Sequence, residues 1–516
     1  MRQLKSKITL ASFVFAALAP IAMQAQFAED ALRFSEIGSQ GTARFQGLGG
    51  AHTSIGGDPT SLTSNPAGLG FYTRDELSIS LGNDYLHSNS NYLGQNVTDK
   101  NNSFNLKNFS LVISNDANDN GYSRSPWKTT MGISFNRQNT FNRVSSFRGR
   151  NENSAFIDHI VDRANYDSNG NLNPYTEDEL NAGYYKNPST GKESYDLLEG
   201  VYYNLYMFDP VEDQNGKLSY VATEAAGAVE QSGYFKSSGS HSQWTFGFAG
   251  NYEDKLYLGI SIGVPKVTSS TSRILDETYT AAQVFRSSRY WETVDITGNG
   301  YNATIGAIYK VNPMFQLGAN VSTPTFMKYQ RSLYDGASVE RLVNGGNFPT
   351  DLSTNPWDYE YKQTTPFRGS IGGTVFLPGQ IGFITASADF VGYKGMNLKP
   401  LYGNRNEMDV YNDQIKDWYK NVVNPKIGAE LRKNNFRVRA GFAYYVDPYK
   451  GKIINDLKEH SYNVSGGLGY RGSGFYVDLA VIHGQQKSPF VLYSNGNAGV
   501  TTFKNTTSML TFGVNF

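Results

Sequence analysis

The sequence predicts an all-β protein: a transmembrane antiparallel β-barrel of about fourteen strands, with an N-terminal hatch inside the lumen and long extracellular loops. Three observations carry this. Apolar residues alternate with polar or small ones in runs of about ten, repeated down the chain. The links between the runs are short and long by turns. The stretch before the first run is glycine-rich and does not alternate.

Residues 1–25 have the pattern of an export signal: Arg2, Lys5 and Lys7, then an apolar run from Ile8 to Ile21, then Met23-Gln24-Ala25 before Gln26. That run is short for a membrane-spanning helix. Without it the chain has 43 basic against 46 acidic side chains, a balance that leaves no basic footprint for nucleic acid. The chain has no cysteine, which excludes disulfides and lipidated cysteine. A mean hydropathy of −0.46 fits a barrel, whose every second residue faces the lumen.

Residues 75–516 carry the alternating runs. The clearest joins Leu256, Leu258, Ile260, Ile262 and Val264; others are Leu77-Ile79-Leu81, Trp244-Phe246-Phe248, Phe436-Val438-Ala440-Phe442 and Leu510-Phe512-Val514-Phe516. We count fourteen runs. Short links at 251–254, 310–314, 378–380, 433–435 and 471–474 alternate with long ones at 85–103, 139–241, 265–293, 324–365, 392–423, 447–459 and 486–506. Short turns on the periplasmic rim and long loops outside is the outer-membrane pattern. A soluble sandwich has no need of it. The link 115–127 breaks the rule, and 139–241 is a large extracellular insertion.

A barrel of about fourteen strands is an open hole unless something fills it, since eight strands close on a packed interior and sixteen leave a channel. Residues 26–74 are placed there as a hatch. Asp58-Pro59 and Asn65-Pro66 each pair a capping side chain with a proline suited to a first helical turn. A loose periplasmic tail is the alternative.

The stretch Gly41-Thr42-Ala43-Arg44-Phe45-Gln46-Gly47-Leu48-Gly49-Gly50-Ala51, with Gly57-Asp58-Pro59 and Ser64-Asn65-Pro66-Ala67-Gly68-Leu69, resembles the hatch of the outer-membrane long-chain fatty-acid transporter family (FadL/TodX/OmpP1 type). The family's Asn-Pro-Ala signature falls on Asn65, Pro66 and Ala67, followed by Gly68. The resemblance implies passive transport of hydrophobic small molecules, with exit through the wall at a kinked third strand. Here that strand is Lys128 to Gln138, and Gly132 is the position to host a kink or to pack as a small residue against the hatch.

The alternation aims Lys255, Arg368, Asp389, Glu430, Arg432, Arg437, Arg439 and Asp478 into the lumen, because charge on the lipid face costs about 2–4 kcal/mol at the midplane. Arg437 or Arg439 suits a ligand carboxylate; the favoured reading is that these groups, Arg368 and Glu430 among them, pair with one another and pin the hatch. The turns 116–121 and 167–171 have calcium-loop composition, but the first has Trp127 where a bidentate Glu is needed, so turns are the simpler reading and no metal or cofactor is assigned. The six histidines show no metal-ligand spacing and no nucleophile partner, so no catalytic residue is assigned. Aromatics in the long loops, among them Tyr184, Tyr185, Tyr202, Tyr206, Trp357, Tyr359 and Tyr361, form a capture groove, an interfacial girdle or a loop core. The expected partners are a hydrophobic small-molecule ligand, outer-membrane lipid, and a protein docked on the long loops. The rival functions are a secretion-associated structural barrel, a haem or aromatic-compound channel, and a hydrophilic porin.

Overall fold

The computed structural model describes residues 21–516 apart from 39, 116–125, 168–169, 225–226, 282, 343–347, 452–456, 458–459 and 495. Most of the leader expected at 1–25, the link 115–127 and the candidate calcium turn 116–121 lie outside the described residues.

Among the described residues, fourteen antiparallel strands form one closed barrel. They are β1 (Glu76–Tyr92), β2 (Gln95–Asn115), β3 (Trp127–Thr140, resuming as Arg143–Asn151), β4 (Val229–Tyr252), β5 (Leu256–Tyr279), β6 (Phe285–Asn312) and β7 (Phe315–Ser322, resuming as Phe326–Arg341). The ring continues with β8 (Trp357–Thr364, then Arg368–Phe376), β9 (Gly382–Val391), β10 (Val422–Lys433), β11 (Phe436–Tyr445), β12 (Ser461–Arg471), β13 (Phe475–Val491) and β14 (Ala498–Asn515). It closes where β14 pairs with β1, from Glu76↔Asn515 to Asn91↔Val500. Each alternating run of the sequence lies in one of these strands.

The pleat sorts side chains as the alternation requires. Leu258, Ile260, Ile262 and Val264 are exposed on the outer face of β5, while Tyr257 and Ser261 are buried inside. On β14, Leu510, Phe512 and Val514 point out and Thr511 points in. An apolar belt outside a polar interior makes this a transmembrane barrel of the outer-membrane type.

The five short links are tight periplasmic turns. Several long links are not loops. β1 and β2 run on through 85–103 to a two-residue turn at Leu93-Gly94, both with positive φ (48° and 79°). β5 and β6 likewise fill most of 265–293, and β13 and β14 most of 486–506. Above the lipid both faces of a strand meet water or polar neighbours, so a stretch such as Thr268-Ser269-Ser270-Thr271-Ser272 loses its alternation and reads as loop.

Inside the barrel lie α1 (Ile21–Ser35), α2 (Ala43–Gly47) and two short 3-10 turns, Pro59–Leu62 and Pro66–Phe71. Over the outer rim, the β3–β4 connection folds as a cap with α3 (Phe156–Asn165), α4 (Glu177–Leu180), α5 (Leu198–Asn204) and a hairpin of Phe208–Glu212 with Leu218–Ala222. The cap has its own apolar core, including Phe156, Ile160, Val201, Tyr202 and Phe208, joined to Tyr290, Leu275 and Tyr493 of the barrel rim. The β9–β10 connection adds α6 (Asp409–Trp418).

Two outcomes are expected. Ile260→Arg, in the middle of the outward belt, lowers barrel stability by about 2–4 kcal/mol in urea unfolding from liposomes. Thr268→Arg, beyond the belt's end at Lys266, costs less than about 1 kcal/mol in the same titration. In the cap, burial holds the His159 imidazole down to about 3, with the Arg163 and Arg273 charges adding to the effect. Its folded pKa lies below its unfolded value, so the stability it contributes is present above about pH 6.5 and drains away as the pH falls towards 3. Proteolysis of the cap should therefore be faster at pH 4.5 than at pH 7, and His159→Gln should flatten that difference.

Candidate functional site

The inner segment is seated on the barrel wall by backbone and capping groups. Asp58 Oδ1 accepts from Thr60 N (2.9 Å) and Asn65 Oδ1 from Ala67 N (3.2 Å), so each capping residue begins its proline-led turn. The Asn65 amide also reaches outwards: Nδ2 donates to Thr53 O (2.6 Å) and to the wall carbonyls of Ala307 (3.2 Å) and Ala319 (3.3 Å), which face each other on β6 and β7. Pro66 and Ala67 lie against Gly259 of β5, and Asn65 against Gly306 of β6; a Cβ at either glycine would overlap them. Gly68 packs on Ser61 and Ile55 within the segment. These inward glycines were visible in the sequence as small residues in the polar phase, with no sign that a backbone would lie on them.

The opposite wall holds the segment by charge. Arg44 of α2 approaches Glu430 (3.4 Å), which also accepts from Arg439 Nε (2.7 Å) and Arg432 Nε (2.8 Å). Arg439 in turn donates to Asp478 (2.7 Å), which pairs with Arg471 (2.9 Å). The side chains of Arg439 and Glu430 are almost wholly buried. Arg44 Nη1 also donates to Gly57 O (2.7 Å), a bond within the segment. Arg437 stands apart at the periplasmic turn, donating to the carbonyls of Asn434 and Phe436. Lys255, expected in the lumen, is exposed at the β4–β5 turn, because the pleat ends one residue later at Leu256. Arg44 and Arg471 were not assigned a role from sequence.

A cavity of about 290 Å³ lies between Glu36, Ile37, Gly38 and Gln40 of the inner segment and β1, β3, β9, β10, β13 and β14. Its lining is polar, with the ion pairs Lys107–Asp84 (2.5 Å) and Lys426–Asp389 (2.5 Å) on its walls. Arg368 also faces it and donates to Ser35 O. Beside it α1 fills an apolar chamber in the extracellular half, where Ala28, Ala31, Leu32 and Phe34 meet Phe141, Tyr329, Met396, Ile415 and Tyr419.

Gly132 sits in an unbroken ladder, opposite Val112 on β2 and Gly247 on β4, and its inner face touches Leu62 of the segment. The irregularity in β3 comes later, between Arg137 and Asn139. There β2 and β3 part: their ladder ends at Asn108↔Asn136, beside a bulge at Lys107. Beyond it the strands are linked by side chains, Arg137 Nε to Leu106 O (3.2 Å) and Asn142 Nδ2 to Ser103 Oγ (2.9 Å).

Among the described residues no cluster of His, Asp or Glu could hold a metal. Asp167 accepts from the backbone N (2.9 Å) and side chain (3.1 Å) of Asn171. His483 bonds Thr506 at the outer surface. Of the loop aromatics, Tyr202 and Phe208 belong to the cap core, Tyr361 to the α1 chamber, and Tyr184, Tyr185 and Tyr206 are exposed.

A closed barrel of fourteen strands around an N-terminal plug can be compared directly with solved structures. No family model matches the sequence, and no curated protein matches it. A FadL homologue of Pseudomonas aeruginosa superposes with a TM-score of 0.52 over 93% of this chain and 99% of its own, at 12% identity. The chain has the fold of the FadL-type barrels. The Pseudomonas putida toluene transporter TodX gives 0.51 over 94% and 99%, again at 12% identity. Both matches span the two chains nearly end to end.

Glu430→Ala should leave Arg44 and Arg439 buried beside each other without their shared carboxylate, a loss of about 3–5 kcal/mol. The expected result is faster proteolysis of the inner segment and higher single-channel conductance in planar bilayers. Gly306→Val should do the same from the other wall while the barrel still migrates as a folded, heat-modifiable band.

Proposed function

We propose that the protein is a Gram-negative outer-membrane transporter that lets small hydrophobic molecules diffuse across, with the inner segment 26–74 as its hatch. The observation that carries this reading is the division of the lumen. A polar, ion-paired plug closes the periplasmic half, and a chamber of aromatic and aliphatic side chains lies above it. A hydrophilic porin needs neither. Diffusion down a gradient needs no nucleotide and no catalytic group, and the solved barrels of this fold include a toluene transporter. Long-chain fatty acids and small aromatic compounds are both candidate ligands. The β2–β3 parting beyond Asn108↔Asn136 supports a lateral exit, since among the described residues no backbone ladder joins the strands there. Arg368 faces the route from the cavity wall, whereas Arg439 and Glu430 serve to pin the hatch. Outer-membrane lipid packs on the apolar belt.

The cap supports a second reading, a protein partner on the cell surface, because Tyr184 and Tyr185 are each about half exposed (53% and 52%) on a unit with its own core. Replacing 152–228 by a short linker should abolish such a role and leave uptake intact.

The decisive test is uptake of radiolabelled oleate and, separately, toluene by cells that carry the protein, lack it, or carry a form without Asn65-Pro66-Ala67. Uptake of either compound should depend on the protein and fall to the background of the lacking cells in the deletion, with barrel assembly unchanged. Equal uptake of both compounds in all three strains sinks the transport reading.

A further inference from the structure

Arg437 takes no part in the ion pairs that hold the inner segment. It stands at the start of β11, and its Nη1 donates to the carbonyls of Asn434 (2.7 Å) and Phe436 (2.9 Å). Arg432 lies directly opposite it on β10, on the same inner face of the wall. On its other flank Arg437 is opposite Gly469 of β12, two residues from Arg471. Opposed residues have Cβ atoms about 5 Å apart, and diagonal ones stand about 7–8 Å apart. Three guanidinium groups therefore crowd one patch of the periplasmic mouth. Periplasmic solutes reach them, since the Arg432 and Arg471 side chains are 33% and 28% exposed.

Their charge is not matched. Glu430 is shared by Arg44, Arg432 and Arg439, and Asp478 by Arg439 and Arg471. Arg437 adds a further guanidinium to the same two carboxylates. Other acids nearby are engaged elsewhere: Asp58 accepts from Thr42 Oγ1 (2.7 Å) and Thr60 N (2.9 Å), and Glu76 from the Tyr476 hydroxyl (2.7 Å). Arg432 gives its Nε to Glu430 on the hatch side (2.8 Å), and among the described residues its Nη groups have no hydrogen-bond partner. Like charges directly opposite on neighbouring strands repel each other. An anion between Arg432 and Arg437 turns that repulsion into attraction.

We propose that Arg432, Arg437 and Arg471 form a binding site, open to the periplasm, for inorganic phosphate or a phosphate monoester. Three planar donor forks suit a tetrahedral anion with three or four oxygens and two charges. A carboxylate has two oxygens and one charge, and leaves one fork unused. The inference does not rest on the transport reading, because the hatch lies between this mouth and the apolar chamber. A free phosphate and a lipid phosphomonoester offer the same chemistry.

The test uses the purified full-length protein in dodecyl maltoside, with radiolabelled inorganic phosphate as the probe. The pH is 8, so that phosphate carries two charges, and sodium chloride keeps the ionic strength constant. Equilibrium dialysis should show one saturable site per chain. Acetate should need at least about tenfold more than unlabelled phosphate to displace the label. Arg437→Gln should weaken binding at least about tenfold, whereas Arg286→Gln, an exposed cation on the opposite rim, leaves it unchanged. Binding that does not saturate overturns the proposal, as does equal displacement by acetate or an unchanged affinity in Arg437→Gln. The first two readouts use the unaltered chain, so they decide the matter even if a variant fails to assemble. Nanodiscs separate the two sources. Loss of label in discs with phosphatidic acid, but not in phosphatidylcholine alone, gives the site to a lipid headgroup; retention in both gives it to a soluble phosphate. Uptake of oleate or toluene is a separate readout, and failure of either result leaves the other standing.

Discussion

Backbone N–H and C=O groups that cross a lipid bilayer must find partners within the protein, and a sheet achieves this only by closing on itself. Closure here takes fourteen strands, with β14 returning to β1 along most of its length. The other features follow from that ring. Its circumference leaves an interior too wide for its own side chains to fill, so the lumen must hold water or another piece of chain. In this protein the piece is the stretch that precedes β1. Its seating then decides where the wall carries glycine, as at Gly259 and Gly306, and where it carries charge, as at Glu430 and Arg439.

The two walls hold the plug by different physics. On the β5–β7 side the grip is close backbone approach, with the Asn65 amide reaching wall carbonyls. On the β10–β13 side it is a chain of buried ion pairs, Arg44, Glu430, Arg439 and Asp478. Backbone contacts are short-ranged and lost with a small shift, whereas attraction between buried charges falls off slowly with distance.

The strands were legible because lipid imposes the alternation: Leu258, Ile260 and Ile262 must be apolar wherever the chain crosses the bilayer. Where that constraint ends, so does the signal. The rim extensions of β1, β2, β5 and β6 were read as loops, and the tight turn at Leu93-Gly94 was missed because leucine is an uncommon residue at positive φ. The two proline-led turns of the inner segment were legible from their Asp-Pro and Asn-Pro pairs. The apolar chamber around α1 was not, because Phe34, Phe141, Tyr329, Ile415 and Tyr419 are scattered along the chain and meet only when the ring closes. Gly132 shows the limit of a single residue type: its lack of a side chain makes room for Leu62, and the irregularity in β3 falls several residues later, at a position marked by no glycine or proline.

The seam between β1 and β14 has a bearing on how such a molecule comes to exist. Thr511 of the last strand accepts a hydrogen bond from Ala43 N (2.8 Å) and meets Ser80 of the first strand (2.8 Å), so the final strand to be synthesised touches plug and wall at one point. A plug of this size cannot be threaded into a finished ring without unmaking it. The segment must already lie against the growing sheet when the last strand arrives, like the mandrel on which a hoop is bent. Order of assembly is thus written into the connectivity: a chain whose N-terminal stretch failed to fold would offer its last strand half a docking surface, and the hoop would stay open.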